Sequence, residues 1–290
     1  MTASVGRRQF KSGRNARILL EIKISLRGLA MKIAFLASPR PGAQEALEEL
    51  VRQYGQSTIA EADYVITLGG DGTFLKALHA LLNVAVKPVF PMRTHGSIGF
   101  LCNPLRMSDL GDRLYSAVQI ELPVLQATVE RVDGQQETLF AINEIVLVRQ
   151  RLQQARFKLT VDDGNATMTL AGDGLALVTP IGSTGYNFSL GGPRLPLGSQ
   201  LLVLTGIAVA HRNPWHRAVL TDQITLDVDI VEAEYHPVRI ETAIEAIPDI
   251  RKARLSCNGN RKTKLLLEQD VLNELTAFSG QFLEYHKRPF

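Results

Sequence analysis

The stretch Tyr64-Val-Ile-Thr-Leu-Gly-Gly-Asp-Gly-Thr-Phe74 joins an apolar segment to a helical one through a glycine-rich turn. The residues before the glycines have the composition of a buried strand, and apolar residues recur at helical intervals from Phe74 to Leu82. Glycines let the backbone turn tightly and approach a ligand closely. The first turn of a helix offers unpaired N–H groups to an anion. The stretch therefore predicts a strand, a phosphate-binding turn and a helix with Thr73 as its N-cap.

The same alternation of strand and helix extends over residues 31–118. Lys32–Ala37 is predicted as a strand and Ala43–Tyr54 as a helix, Val89 and Phe90 begin a third strand, and Met107–Ala117 forms a third helix. Alternating strands and helices favour a parallel sheet that is covered on both faces. We therefore expect an α/β domain over residues 31–118.

Residues 119–274 show a different pattern, in which short apolar stretches alternate with turn residues. The predicted strands are Ala127–Arg131, Asn143–Arg149, Phe157–Asp162, Ala166–Leu170, Leu175–Thr179, Ile224–Val231 and Lys264–Leu267. We expect a second, β-rich domain over this range, with residues 275–290 returning to pack on the first domain.

The composition excludes several classes of protein. Hydrophobic residues make up 45% of the chain and charged residues 21%, which suits a packed core. The formal charge is +3, but residues 1–30 hold seven basic residues against one acid, so the remainder has 25 basic and 28 acidic residues. Such a body lacks the electrostatic footprint of a nucleic-acid-binding protein. No apolar run reaches the ~18 residues of a membrane span.

Residues 1–30 contain Arg7-Arg8, which superficially resembles a twin-arginine export signal, but charged residues interrupt the stretch that follows. We expect either a disordered extension or a start assigned too early, with Met31 as the true start. Cys102 and Cys257 lie far apart and form neither a disulfide framework nor a zinc pattern. A reducing, cytoplasmic location fits this cysteine usage best.

Asp71 places a carboxylate inside the glycine-rich turn. A carboxylate beside a phosphate-binding turn can accept the proton of an attacking hydroxyl. The alternative is an ordinary strand-to-helix turn with an incidental acid. The chain has no Gly-x4-Gly-Lys-Ser/Thr loop, so a Walker-type kinase is not indicated.

Asn143 and Glu144 form a polar pair between apolar residues. An asparagine amide suits the edge of an adenine, and a glutamate can accept hydrogen bonds from ribose hydroxyls. The pair either caps a strand or binds a ligand, and the sequence alone leaves both readings open.

A third motif begins at Gly172-Asp173-Gly174 and continues into the loop Thr179–Pro193, which is rich in glycine, serine and threonine. Such a loop offers hydroxyl and N–H groups to a sugar or a phosphate, and Tyr186 can stack on a ring. The alternative is a flexible surface linker, which the apolar residues inside the loop disfavour. His211 follows an apolar run and is a candidate pocket residue. No histidine has a spaced partner, so we expect no metal ligands among the histidines.

These three motifs, in this order, resemble the NAD kinase family from about Met31 to the C-terminus. The Gly-Gly-Asp-Gly turn alone also occurs in lipid kinases and phosphofructokinases of the same superfamily. Ser97-Ile-Gly-Phe-Leu and Leu195-Pro-Leu-Gly look like the alphaproteobacterial branch. The resemblance implies the NAD kinase and diacylglycerol kinase-like fold: an α/β domain with a parallel sheet and a β-rich C-terminal domain.

The resemblance also implies roles for individual residues. Asp71 is the implied catalytic base, which activates the 2′-hydroxyl of the adenosine ribose of NAD. The implied binding residues are Gly70, Gly72 and Thr73 at the phosphates, Asn143 and Glu144 at the adenosine, Asp173 at the nicotinamide end, and Thr184, Gly185, Tyr186 and Ser189 around the dinucleotide. The family uses Mg²⁺ or another divalent cation with ATP or polyphosphate as the donor, and assembles as homodimers or homotetramers.

The chain departs from the family pattern at three places. Gly185 replaces the usual alanine, the segment Pro91–Gly96 carries an apparent insertion, and the usual Asp-Gly turn is missing near Glu241–Glu245. The altered 91–96 segment leaves any ligand role there in doubt. Two other functions stay open at this point: a lipid kinase that uses the same turn, and a non-catalytic sensor that binds a dinucleotide.

Overall fold

A computed structural model describes residues 31–285, except 83, 85, 98, 165 and 211–215. The predictions on residues 1–30, on residues 286–290 and on His211 lie outside the described residues.

The N-terminal part is built on parallel strands that alternate with helices, as predicted. Its strands are β1 (Ile33–Ala37), β2 (Tyr64–Gly69), β3 (Pro88–Arg93) and the two-residue β4 (Asn103–Pro104). Its helices are α1 (Pro41–Tyr54), α2 (Asp71–Leu81) and α3 (Leu110–Ser116). β2 pairs in parallel with both β1 and β3, and β4 pairs in parallel with β3.

Alternate side chains of these strands point to opposite faces of the sheet, as the period of a β-strand requires. Ala34 and Val65 pack against Phe74 of α2 on one face. Phe35 and Ile66, one position further along each strand, belong to the cluster of α1 and α3 on the other face. The sheet is therefore covered on both faces.

The C-terminal part is rich in β-strands. Its elements are β5 (Val118–Arg131), β6 (Gln136–Ala141), β7 (Glu144–Arg149), β8 (Ala155–Val161), β9 (Ala166–Gly172), β10 (Gly174–Val178), the short α4 (Tyr186–Ser189), β11 (Leu201–Ile207), β12 (Arg217–Thr221), β13 (Thr225–Ile230), β14 (Val238–Glu241), β15 (Ala246–Ile247), β16 (Ile250–Leu267) and the terminal helix α5 (Gln269–Tyr285). β6, β11, β12, β14 and β15 were not among the predicted strands.

These strands form two sheets that enclose one core. The six-stranded sheet has the order β12-β11-β10-β7-β14-β15. Strands β5, β6, β8, β9, β13 and β16 belong to a ten-stranded sheet together with β1–β4. Residues of both sheets, such as Leu125 and Phe157 from one and Leu147 and Leu177 from the other, share a single buried cluster.

The 18-residue strand β16 links the two parts of the molecule. It pairs with β5 over most of its length and with β13 at residues 252–256. At its end, Lys264 and Leu265 pair in parallel with Pro88 and Val89 of β3. The ten-stranded sheet is therefore continuous across residue 118, and the domain boundary drawn there stays a prediction.

Helix α5 follows directly after β16. Its residues Val271, Leu272 and Leu275 pack against the cluster of α2. None of the described helices is long and apolar enough to cross a membrane.

Candidate active site

The Gly-Gly-Asp-Gly turn lies at the carboxyl end of β2, where α2 begins. The predicted N-cap at Thr73 is wrong: the helix starts at Asp71, and Gly70 occupies the cap position without a side-chain hydrogen bond. The helix can start this early because Gly69 has no side chain, and a Cβ there would lie 2.3 Å from Thr73 Oγ1. Asp71 thus occupies the first position of the helix, where the helix dipole favours an anion.

The Asp71 carboxylate is fixed by main-chain N–H groups from a neighbouring segment. Leu101 N donates to Asp71 Oδ1 and Phe100 N donates to Oδ2, each at 2.9 Å. The Cys102 thiol lies 3.5 Å from Oδ1. Burial, followed by the Asp71 charge, raises the pKa of that thiol. The thiol therefore stays protonated at neutral pH and can donate to Asp71 Oδ1.

A cavity of about 680 Å³ opens beside the turn. Its volume suits a small organic ligand. It is lined by Leu36, Ala37, Ser38, Pro39, Arg40, Gly70, Gly72, Thr73, Lys76, Ala77, Ala80, Gly96 and Ser97. Gly70, Gly72 and Thr73 are thus brought to one cavity, as the phosphate-binding prediction requires, whereas Asp71 is not among its lining residues.

Two cations of this cavity, Arg40 and Lys76, were not singled out in the sequence. Arg40 follows β1 and donates to Gly96 O at 2.7 Å, which connects the altered 91–96 segment to the cavity wall. Lys76 lies one helical turn after Thr73. The order of the predicted strands could have identified Arg40. The carboxyl ends of adjacent parallel strands lie at the same edge of a sheet, so the residues that follow β1 are expected to lie next to the turn that follows β2.

Asn143 and Glu144 lie at the start of β7 and present unsatisfied oxygen atoms. Asn143 Oδ1 and Glu144 Oε2 are buried and have no hydrogen-bond partner among the described residues. Burial raises the pKa of Glu144 to about 7. A buried polar atom without a partner costs about 1–3 kcal/mol, and a bound ligand can remove that cost. These two oxygens favour the hypothesis that the pair binds a ligand over the hypothesis that it caps a strand.

The loop from Thr179 to Pro193 is an ordered structure built on buried hydrogen bonds. Asn187 is fully buried, donates to Pro193 O at 2.8 Å and accepts from the Thr205 hydroxyl at 2.7 Å. Ser183 Oγ accepts from Leu195 N at 2.9 Å. The loop contains a 3₁₀ turn and α4. The flexible-linker interpretation does not describe this loop.

The loop and the Asn143-Glu144 pair are in direct contact. Thr179 N and the Thr179 hydroxyl both donate to Asn143 O, at 2.9 and 3.0 Å. Gly182 packs so closely that a Cβ there would lie 2.4 Å from Asn143 O and 2.8 Å from Glu144 Oε2. Thr184, Gly185, Tyr186 and Ser189, the predicted dinucleotide contacts, are all exposed on the surface of this loop.

The glycine-rich turn and the second polar site meet through one apolar cluster. Ile142, Ile181, Phe74 and Leu101 are all buried in the cluster that packs against α2. Ile142 precedes Asn143 and Phe74 follows Thr73 in sequence. Ile181 lies in the loop that begins at Thr179, and Leu101 N donates to Asp71. The cluster therefore brings the two motifs of the C-terminal part to the side of the molecule that carries Asp71.

Asp173 has a partner within the protein. Its carboxylate accepts from Arg149 Nε at 2.6 Å and from Arg149 Nη2 at 3.0 Å. This hydrogen bond raises the pKa of Arg149. Gly174 beside it lies so close to β7 that a Cβ would be 2.1 Å from Leu147 O. Contact between Asp173 and a nicotinamide ring stays a prediction.

A glycine-rich turn between a parallel strand and a helix, together with buried oxygen atoms that could bind a nucleoside, is the arrangement expected of a nucleotide-binding kinase. The family models described as the ATP-NAD kinase N-terminal and C-terminal domains match residues 25–120 and 142–266. The chain belongs to the NAD kinase family.

Curated relatives and solved structures agree with this family. A Hyphomonas neptunium NAD kinase is 36% identical over 254 residues, which cover 86% of this chain and 99% of that protein. The Rhizobium meliloti NAD kinase is 36% identical over 238 residues and covers 82% and 92% of the two chains. The Mesorhizobium japonicum NAD kinase is 38% identical over 224 residues and covers 76% and 86%.

Two solved structures share the fold. The yeast NADH kinase complexed with NADH has a TM-score of 0.74 at 17% identity and covers 90% of this chain and 89% of its own. The Archaeoglobus fulgidus NAD kinase in complex with ATP has a TM-score of 0.69 at 19% identity and covers 86% and 99%. The sequence-based expectations of fold and family are thus confirmed.

Proposed function

We propose that the chain transfers a phosphoryl group to the 2′-hydroxyl of the adenosine ribose of NAD, with Asp71 as the general base. The observation that carries this proposal is the Asp71 carboxylate, which two main-chain N–H groups hold at the start of α2 beside a phosphate-binding turn. Membership of the NAD kinase family supports NAD as the acceptor.

The two main-chain hydrogen bonds to Asp71 fix the direction of its carboxylate. Oδ1 accepts from both Leu101 N and the Cys102 thiol, whereas Oδ2 accepts only from Phe100 N among the described residues and keeps a lone pair free. This lone pair of Oδ2 accepts the proton of the ribose hydroxyl as the hydroxyl oxygen attacks phosphorus. The reaction needs no covalent intermediate, because positioning and charge stabilisation supply most of the catalysis of phosphoryl transfer.

The adenosine half of NAD is assigned to the Asn143-Glu144 pair. The buried Asn143 Oδ1 can accept from the adenine amino group, and Glu144 Oε2 from a ribose hydroxyl. The exposed loop residues Thr184, Gly185, Tyr186 and Ser189 surround the remainder of the dinucleotide, with Asp173 at the nicotinamide end. These assignments give hydrogen-bond donors to Asn143 Oδ1 and Glu144 Oε2, which have no partner among the described residues.

The donor, ATP or polyphosphate, is assigned to the 680 Å³ cavity. Gly70 and Gly72 let phosphate oxygens approach the start of α2, and Arg40 and Lys76 supply positive charge. The described residues contain no group of three or more His, Cys, Asp or Glu side chains that could hold a metal ion. Mg²⁺, or another divalent cation, would therefore be held mainly by the phosphates of the donor, whose charge it neutralises. We further expect a cytoplasmic homodimer or homotetramer.

The test of the proposed base is Asp71→Asn, which keeps the shape of the side chain and removes its basicity. We expect kcat to fall by 10²-fold or more, since general-base catalysis contributes about 10²–10⁴-fold, while NAD binding persists. NADP formation with NAD, Mg²⁺ and each donor measures the rate, and calorimetry measures NAD binding. Asp229→Asn, on an exposed carboxylate of β13 paired with Lys252, is the matched control. Near-normal turnover of Asp71→Asn would reject the assignment.

Neither alternative function is favoured. A lipid kinase would leave the Asn143-Glu144 oxygens unexplained, and a sensor would not need the fixed carboxylate of Asp71. Assays of the purified protein against NAD and diacylglycerol side by side separate these functions. A sensor would show stabilisation by NAD without forming NADP.

A further inference from the structure

The segment between β3 and α3 supplies the N–H groups that hold Asp71. Phe100 and Leu101 lie in this segment, whose described residues include only the two-residue strand β4 as regular structure. Irregular backbone is fixed in place only by specific contacts. The position of the Asp71 carboxylate therefore depends on what holds residues 99–104.

The Asn103 side chain, which is fully buried, ties this segment to three main-chain groups. Its amide nitrogen donates to Pro91 O of β3 and to Leu266 O of β16, each at 3.1 Å. Its amide oxygen accepts from Glu268 N at 2.8 Å. The ladder between β3 and β16 ends at Val89 and Leu265. The Asn103 amide thus joins the two strands just beyond the last pair of their ladder.

An ion pair fixes the other side of the segment. The guanidinium of Arg113, whose side chain is 7% exposed, contacts Glu268 Oε1 at 2.7 Å. It also donates to Pro104 O and Arg106 O, each at 2.8 Å. Charge-assisted hydrogen bonds of this kind are shorter and stronger than neutral ones. Glu268 therefore binds Asn103 through its main chain and Arg113 through its carboxylate.

We propose that Asn103 is a positioning residue for catalysis, which holds the Phe100 and Leu101 N–H groups against Asp71 from the junction of β3 and β16. The proposal rests on the function assigned to Asp71 above. Only Cys102 separates Asn103 from Leu101, so a shift of the Asn103 backbone moves the N–H donors directly. A displacement of about 1 Å in a reacting group can cost about 10²-fold in rate.

The first test is Asn103→Leu, which keeps the size of the side chain and removes its three hydrogen bonds. Because the substrate contacts are elsewhere, we expect kcat to fall by about 10-fold to 100-fold while KM for NAD changes by less than about twofold. Rates are normalised to the folded fraction measured by circular dichroism. Asp227→Ala is the matched control, because it removes a buried, ion-paired side chain of β13 far along the sheet and should lower stability without lowering kcat.

The second test is hydrogen exchange of peptides that cover residues 99–104. Asn103→Leu should increase exchange there, whereas Asp227→Ala should not. If Asn103→Leu does not fold, Glu268→Gln serves instead, because it keeps the main-chain N–H and weakens only the ion pairs of the carboxylate with Arg106 and Arg113. It should also lower kcat with KM retained.

The outcomes separate the two proposals. If Asp71→Asn abolishes turnover but the folded Asn103 or Glu268 variant keeps the wild-type kcat, Asn103 has no positioning role. The same holds if kcat falls while exchange at residues 99–104 is unchanged. If Asp71→Asn itself remains active, the proposed base is wrong, whatever the Asn103 variants do.

Discussion

Glu144 has a charge state that responds to pH near neutrality. Its pKa is raised to about 7 by burial, from an ordinary value of 4.5. The folded apo-protein therefore binds more protons than the unfolded chain between these pH values. The free energy of unfolding should therefore decrease as pH rises through this window, because the folded state must release the proton that the unfolded chain has already lost.

Binding of NAD should show the opposite dependence on pH. A ribose hydroxyl that donates to Glu144 favours the ionised carboxylate, so the affinity for NAD should rise as pH rises to about 7 and level off above it. Calorimetric Kd values between pH 5.5 and 8.5 measure this. Glu144→Gln should bind more weakly and lose the dependence. An identical pH profile in Glu144→Gln would show that another group titrates.

The candidate site residues that could be predicted from the sequence are those that interrupt a pattern. Asp71 stands among glycines and Asn143-Glu144 among apolar residues, so local composition exposed them. Asn103 and Arg40 interrupt nothing in the sequence. Their importance comes from contacts with Leu266 and Gly96, 163 and 56 positions away, which only the folded sheet creates.

Helix α2 carries a second titratable group on its buried side. His79 is 4% exposed, and neither ring nitrogen has a hydrogen-bond partner among the described residues. Burial lowers the pKa of His79 below its ordinary 6.5. The unfolded chain therefore binds the proton more readily, and this group should reduce stability as pH falls below about 6.5.

Replacing His79 by an apolar residue of similar size should stabilise α2. His79→Leu removes two unsatisfied nitrogens, and we expect a gain of about 1–2 kcal/mol at pH 7 and a larger gain at pH 5. Urea unfolding at both pH values measures it. His236→Leu is the comparison, because His236 is only partly buried, its Nε2 lies 3.7 Å from Glu232 Oε2, and only its Nδ1 has no partner among the described residues, so the gain should be smaller. A loss of stability in His79→Leu would show that the imidazole has a role in the core.

Element prediction was accurate where an element has one uniform environment. α1 is amphipathic over its full length, and β2 is buried from Val65 to Gly69. The predicted bounds of both elements lie within two residues of the observed ones. β16 was predicted only over Lys264–Leu267, because its pairing with β5 shifts register between Cys257 and Lys262. Such an irregularity breaks the alternation on which strand prediction depends.

At the scale of the whole molecule, the two parts share structure that a division at residue 118 would break. Leu122, Leu265 and Leu267 are buried in the core of the α/β part, and β16 pairs with β3. We expect a fragment of residues 31–118 to show no cooperative unfolding, whereas residues 31–290 unfold in one transition. Thermal unfolding followed by far-UV and near-UV circular dichroism tests this. A cooperative transition in the fragment would show that residues 31–118 fold alone.

The sequence indicated the architecture of each part but not their connection. Alternation of strands and helices identified the parallel sheet, and short strands with turns identified the β-rich part. The order of strands in the ten-stranded sheet depends on pairs that are distant in the chain, such as β3 with β16. Local periodicity carries no information about such pairs.

The position of β16 between β3 and β13 has a consequence for biosynthesis. While the chain is being translated, Pro88 and Val89 of β3 have an unpaired edge until residues 264 and 265 leave the ribosome, whereas β4 covers Met92 and Arg93 much earlier. An unpaired strand edge promotes association with other chains. The hydrogen bonds of Asn103 with Leu266 and Glu268 also form only at that stage, so the segment that holds Asp71 can reach its final position only when translation is almost complete.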